Sequence, residues 1–281
     1  VPPTAFFKAA HLIFRKMPRL PLLLLLFTVA VAPASQLVDN LRKGTPQTVV
    51  AYGTSLTAQP AAGQWVNDLR SWLNSEYPGL ATVINSGMSG KASNTAVLNL
   101  QSKVLDYNPD TVIIEFSMND AFTNFSASNN PTDWIPQITT DRAKSNLESM
   151  ITSIQAKNPL AEIVLMTMNP VYNGPPTNTG ATYRPDLTSY YQVYRDVAAE
   201  RGLLLVDNYM NWKTIYDGNI SLFRAYIPDG VHPTSAASSA IIFPAVKDVL
   251  VSVPEPSTIS LIAFGVFCAS FAIRRRMHVL R

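Results

Sequence analysis

The chain contains one cysteine and three histidines in 281 residues, and charged side chains occupy only 15% of positions. The single cysteine, Cys268, stands in an apolar stretch near the C-terminus, which excludes an internal disulfide scaffold and leaves residues 35–253 without a thiol nucleophile. Glycine, at 12 positions, is too sparse and too irregular for a collagen-like repeat, and 47% hydrophobic residues exclude a disordered chain. Basic runs are also missing from 35–253. The formal charge of +3 comes from the two ends, where Lys8, Arg15, Lys16, Arg19, Arg274, Arg275, Arg276 and Arg281 face a single acid, Glu255. Residues 35–253 hold 14 cations against 18 acids, a net of −4, so no nucleic-acid partner is expected.

What is present at the ends reads as addressing. Arg15, Lys16 and Arg19 precede the apolar run Leu20–Ala32, and Ala32-Pro33-Ala34 supplies small residues at a cleavage site, so residues 1–34 form a secretory signal region cut after Ala34. The run is too short to cross a hydrocarbon core of about 30 Å. Residues 1–16 add nothing that such a leader needs, which points to Met17 as the true start. At the other end, Pro254-Glu255-Pro256 is followed by the uncharged stretch Thr258–Ile273 and then by Arg274-Arg275-Arg276, an apolar helix with a positive stop-transfer flank. Residues 254–281 resemble the PEP-CTERM sorting signal of bacterial envelope proteins. The resemblance implies export across the inner membrane, transient membrane anchoring, cleavage by an exosortase-type processing enzyme, and a final place in the cell envelope or outside it.

Residues 35–253 are enough for one substantial core. Short β-branched apolar runs alternate with longer amphipathic stretches, the pattern of βα units around a parallel sheet. Strands are expected at Thr48–Tyr52, Thr82–Asn85, Thr111–Phe116, Glu162–Met166 and Leu203–Val206. Helices are expected at about Gln64–Tyr77, Ser93–Leu105, Thr139–Lys157, Leu187–Arg201 and Thr234–Leu250, the last kinked or broken by Pro244. The fold class is therefore α/β, a three-layer α/β/α sandwich with a doubly wound, five-stranded parallel sheet whose ligands bind beyond the C-terminal ends of the strands.

Those ends carry the chemistry. The first strand is followed by Gly53-Thr54-Ser55, the second by Asn85-Ser86-Gly87-Met88-Ser89-Gly90, and the third by Ser117-Met118-Asn119-Asp120. Asp229-Gly230-Val231-His232-Pro233 stands close to the end of the domain. His11 and His278 lie in the end segments, so His232 is the only histidine in 35–253, and Asp229 sits three residues before it. A serine, a histidine and an orienting acid are the parts that acyl transfer requires. Asp207 and Asp217 are other acids that could orient the ring. One histidine and no cysteine cannot build a usual zinc site, so neither metal nor cofactor is expected.

In this order, the four stations resemble the SGNH (GDSL-type) hydrolase superfamily over residues 47–250. The resemblance implies a flavodoxin-like SGNH fold with Ser55 as nucleophile, His232 as general base and then acid, and Asp229 as its orienting partner. It also implies an oxyanion hole built from the Ser55 and Gly90 N–H groups and the Asn119 side chain. Two positions depart from the family pattern. Thr54 stands where an aspartate organises the nucleophile loop, and Ser117 stands where glycine leads the third block and would add a side chain at the pocket floor.

The leading function is an exported serine esterase that removes small acyl groups, O-acetyl above all, from polysaccharide. Trp134, Tyr172, Tyr183 and Tyr226 lie in proline- or glycine-rich segments that could edge the cleft and stack on sugar rings or merely pack the loops, and the long loops Phe122–Pro136 and Pro170–Pro185 favour specificity elements. The same site would also serve a lysophospholipase, a lipase or an O-acyltransferase. A non-catalytic matrix or polysaccharide-binding protein of the same fold is the reading from a different class.

Overall fold

The computed structural model describes residues 35–123, 138–176 and 180–252. The expected signal region, Trp134, Cys268 and the C-terminal apolar helix lie outside these residues.

Strands form where β-branched runs were expected: β1 (Gln47–Gly53), β2 (Ala81–Asn85), β3 (Thr111–Glu115), β4 (Glu162–Thr167) and β5 (Leu204–Asp207). All pairings are parallel, in the order β2-β1-β3-β4-β5. Central strands β3 and β4 are buried at every residue, whereas the edge strands β2 and β5 are partly exposed. Side chains leave the sheet alternately. Val49, Ala51, Ile113, Val164 and Met166 enter one core, while Val50, Tyr52, Val112, Ile114, Ile163 and Leu165 enter the other.

Helices cover both faces. On the first core lie α1 (Gln36–Arg42), with Leu37, Val38 and Leu41 buried, and α3 (Gln64–Glu76), which follows the short α2 (Ser55–Ala58). The opposite core receives α4 (Ser93–Lys103), and after the four-residue α5 (Ser117–Asp120) it receives α6 (Thr140–Lys157). The Thr139 hydroxyl caps α6 by accepting from the Arg142 N–H at 3.2 Å. Next come α7 (Leu187–Arg201), α8 (Asn208–Gly218) and α9 (Ile220–Tyr226). At the far end of the sheet, Glu162 takes the Gln36 N–H at 2.6 Å and the Ser35 hydroxyl at 2.9 Å, capping α1 from the start of β4.

The expected helix over Thr234–Leu250 is divided into three pieces. A short α10 (Ser235–Ala237) runs into a π-helical stretch, Ser238–Ile242, and then into α11 (Phe243–Val251). Pro244 occupies the first turn of α11, where a missing N–H costs least. The wider π turn accommodates the proline, and the backbone stays right-handed through Ile242 and Phe243.

From β1 the chain turns one way to β2 and then crosses to the other side for β3. The C-terminal ends of β1 and β3 therefore diverge at a topological switch point, where this fold opens a crevice.

Candidate active site

The turn after β1 is built by its own side chains. Thr54 is the N-cap of α2, and its Oγ1 accepts from the Leu56 N–H at 3.2 Å. Ser55 is the first residue of that helix and is 7% exposed. No carboxylate stands at position 54, but one arrives from β3. Glu115 Oε1 receives the Thr54 N–H at 2.6 Å and the Thr57 hydroxyl at 2.7 Å, and the Thr54 hydroxyl lies 3.0 Å from Oε1 and 3.1 Å from Oε2. The donors of Thr54 and Thr57 thus converge on one acidic side chain. Burial pushes the Glu115 carboxyl up to about 7, against the pull of the threonine donors.

The second station is fastened to the first, since Met88 N–H donates to the Gly53 carbonyl at 2.7 Å. Gly90 follows in a left-handed conformation, with φ +71°. Asn119, on α5, donates from Nδ2 to the Lys91 carbonyl at 2.9 Å, which places it one residue along from Gly90 and leaves the second amide hydrogen available. Asp120 secures α5 by accepting the Ser93 N–H at 2.7 Å, and burial raises its carboxyl to about 7. Ser117 departs from expectation. It is fully buried at the start of α5, its hydroxyl has no partner among the described residues, and it offers no surface to a pocket floor.

The fourth station is a tight turn closed by Asp229. Its Oδ1 takes the backbone N–H groups of Val231 at 2.9 Å and His232 at 2.7 Å, while its Oδ2 lies 2.7 Å from His232 Nδ1. Burial of Asp229 pushes its carboxyl up, but the His232 ring and the two backbone donors outweigh it and hold the group down at about 2. Gly230 has φ +85°, and a Cβ there would lie 2.0 Å from the Tyr172 carbonyl oxygen, so only glycine fits. Across the crevice, His232 Nε2 lies 2.8 Å from Ser55 Oγ. With the Nδ1 proton directed at Asp229, Nε2 presents its lone pair to the serine hydroxyl.

Ser55, His232 and Asp229 therefore form one hydrogen-bonded chain. The two rival acids are occupied elsewhere: Asp207 pairs with Arg195 at 2.7 Å and with the Thr167 hydroxyl at 2.7 Å, and Asp217 pairs with Lys213 at 2.7 Å. The aromatic candidates are less closely grouped. Tyr183 packs on Phe122 at 5.6 Å and Tyr226 on Trp212 at 6.3 Å. Tyr172 packs on Phe223 at 6.0 Å behind the Asp229 turn, and its hydroxyl donates to the Pro228 carbonyl at 3.2 Å. Trp134 lies outside the described residues.

Three features had no place in the sequence reading. Glu115 falls inside the strand expected at Thr111–Phe116, although a carboxylate closing an apolar run is itself a signal. Arg184, buried, donates from Nε to the Met118 carbonyl at 2.8 Å and so ties the loop after β4 to α5. A cavity of about 380 Å³ opens beside that loop, walled by Tyr209 and Tyr216 of α8, with Pro170, Arg184, Thr188 and Lys213. No group of three or more potential metal ligands occurs among the described residues.

A three-layer sandwich with these groups at the C-terminal edge of its sheet defines an α/β hydrolytic enzyme. The chain belongs to the GDSL-like lipase/acylhydrolase family, whose model matches residues 51–240, and is thus a carboxylic ester hydrolase. Residues 252–276 match the PEP-CTERM protein-sorting motif. An uncharacterized lipoprotein, YqeF, of Bacillus subtilis (strain 168) is 28% identical over 207 residues, covering 65% of this chain and 79% of its own length. Among solved structures, the acetylxylan esterase Axe2 of Geobacillus stearothermophilus has a TM-score of 0.59 at 22% identity, covering 76% of this chain and 98% of that one. LAE5, an alpha/beta hydrolase enzyme from the metagenome of Lake Arreo, Spain, has a TM-score of 0.59 at 19% identity, covering 74% and 98%. At these identities the two structures speak for the fold. Among the described residues no helix is long and apolar enough to cross a membrane.

Proposed function

We propose that this chain is an exported serine esterase that removes small acyl groups, O-acetyl above all, from carbohydrate. The observation that carries the reading is the continuous chain from Ser55 Oγ to His232 Nε2 at 2.8 Å and from His232 Nδ1 to Asp229 Oδ2 at 2.7 Å. His232 takes the Ser55 proton as Oγ attacks the ester carbonyl carbon. The oxyanion forms against the Ser55 N–H, the Gly90 N–H and Asn119 Nδ2. His232 then protonates the departing sugar oxygen, leaving the acyl group on Ser55. A water molecule, deprotonated by the same ring, attacks the acyl-enzyme and releases the acid while the proton returns to Ser55.

The likeness of the fold to Axe2, described as an acetylxylan esterase, supports a carbohydrate ester. The sorting motif at 252–276 supports export and transient anchoring.

The test compares turnover of p-nitrophenyl esters of increasing chain length, and of acetylated oligosaccharides, by the wild-type chain and by Ser55→Ala. The expected result is preference for acetyl and no turnover by the variant. A Ser55→Ala chain as active as wild type removes the mechanism, and preference for long acyl chains replaces the substrate with a lipid ester.

A further inference from the structure

We propose that Glu115 is the positioning residue of the nucleophile turn: from the end of β3 its carboxylate fastens Thr54 and Thr57, on either side of Ser55, and does the work of an aspartate at position 54. The proposal deepens the esterase reading and rests on it.

The sheet register makes the arrangement possible. Gly53 and Glu115 are paired across β1 and β3, so the carboxylate stands beside the last residue of the strand that delivers Ser55. A Cβ at Gly53 would lie 2.1 Å from Glu115 Oε1, so the absence of a side chain there is what lets the carboxylate reach the turn. Glu115 is 1% exposed, and three donor groups from the turn converge on it: the Thr54 N–H, the Thr54 hydroxyl and the Thr57 hydroxyl.

The turn needs such a fastening. A four-residue helix cannot hold itself, because it forms too few hydrogen bonds to offset the ordering of its backbone. Its reactive hydroxyl must also meet His232, which lies 177 residues away in sequence on another loop. The other side of the turn is pinned independently, with Leu56 fully buried and its carbonyl accepting from Trp65 Nε1 at 3.1 Å. Removing Glu115 therefore frees one anchor of the turn and leaves those that Trp65 provides at Leu56, Asn85 at the Thr57 carbonyl and Met88 at the Gly53 carbonyl. The expected consequence is a loosened Ser55 in a folded chain, and misplacement of this kind costs on the order of 10²-fold in rate.

The experiment measures stoichiometric labelling of the full chain by a fluorophosphonate, reading the rate constant and the endpoint separately, together with kcat and KM for p-nitrophenyl acetate. Wild type and Ser55→Ala come first. If wild type is not labelled, or Ser55→Ala is labelled equally, the esterase reading itself fails, whatever Glu115 does. With that control in place, Glu115→Ala is expected to lower the labelling rate constant and kcat by about 10²-fold and Glu115→Gln by about tenfold. KM and the endpoint of one label per chain are expected to stay unchanged. Moving the carboxylate back, as Thr54→Asp with Glu115→Gln, is expected to recover most of the rate lost in Glu115→Gln alone, and this comparison decides the matter if Glu115→Ala does not fold. Three results overturn the proposal: a Glu115→Ala or Glu115→Gln rate constant equal to wild type, a lowered endpoint at an unchanged rate constant, or no gain from the relocated carboxylate.

Discussion

Glu115 and Asp229 anchor the two turns that meet in the crevice, and they do so from opposite surroundings. Glu115 is closed off inside the sheet edge, and burial drives its carboxyl up to about 7 even though threonine donors surround it. Asp229 keeps 39% of its side chain exposed, and an imidazole and two backbone N–H groups drive its carboxyl down to about 2. The same functional group thus serves two purposes. In the proposed mechanism Asp229 holds a developing positive charge on His232; it is left near water and given strong donors, so it stays ionised above about pH 2. A carboxylate that only has to fix backbone geometry can be buried, where its hydrogen bonds are shielded from competition by solvent.

Substitutions at each turn can break this comparison. The largest effect belongs to Asp229→Asn, which keeps the shape of the turn but presents an amide to His232 Nδ1 and so favours the wrong tautomer. Turnover is expected to fall by about 10⁴-fold with little change in KM, checked by steady-state kinetics on acetyl esters. Next comes Asn119→Ala, which removes one of the proposed oxyanion donors without touching either turn. A loss of about 10²–10³-fold in kcat is expected, and a loss confined to KM would remove Asn119 from that role.

Stability against pH separates the two carboxylates more finely. Glu115 keeps its proton to about pH 7 when folded but only to about 4.5 when unfolded, so its contribution is full below about pH 4.5 and is lost as pH rises to about 7. Asp120 carries the same sign, from 3.8 up to about 7, and with Tyr191 and Tyr194 of α7 it is the titratable company that Glu115 keeps. Thermal unfolding is therefore expected to show a falling midpoint from pH 4.5 to 7, with a shallower fall in Glu115→Gln. Asp229 acts the other way: its contribution is present above about pH 3.8 and is lost as pH falls through about 2. The acid limb is expected to flatten in Asp229→Asn, and only slightly, because the side chain is well exposed. Identical pH profiles for the two variants would erase the contrast.

Legibility in the sequence followed the same divide between residues that break a pattern and residues that sit inside one. The strands could be placed to within a residue or so because a parallel sheet buried on both faces demands unbroken β-branched runs, as in Thr111–Glu115 and Glu162–Thr167. The helix Asn208–Gly218 could not be read, since only Asn208 and Trp212 are buried and no apolar stripe marks it. Tyr209 and Tyr216, which wall the cavity, stand on that same unmarked helix. Ser55, Asn119, Asp229 and His232 were legible because they follow strands or stand in a glycine turn, and the histidine had no competitor in 35–253. Glu115 was hidden by lying within a strand, and its pairing with Gly53 exists only once the sheet has formed.

The central claim is that Ser55 carries the acyl group between two half-reactions. Its most direct measurement is acid quenching of the chain during turnover of an acetyl ester, followed by mass analysis of the peptide that contains Ser55. An acetyl group on Ser55, absent from Ser55→Ala, is the expected result; turnover without acetyl on Ser55, or the same acetylation in Ser55→Ala, would contradict the claim.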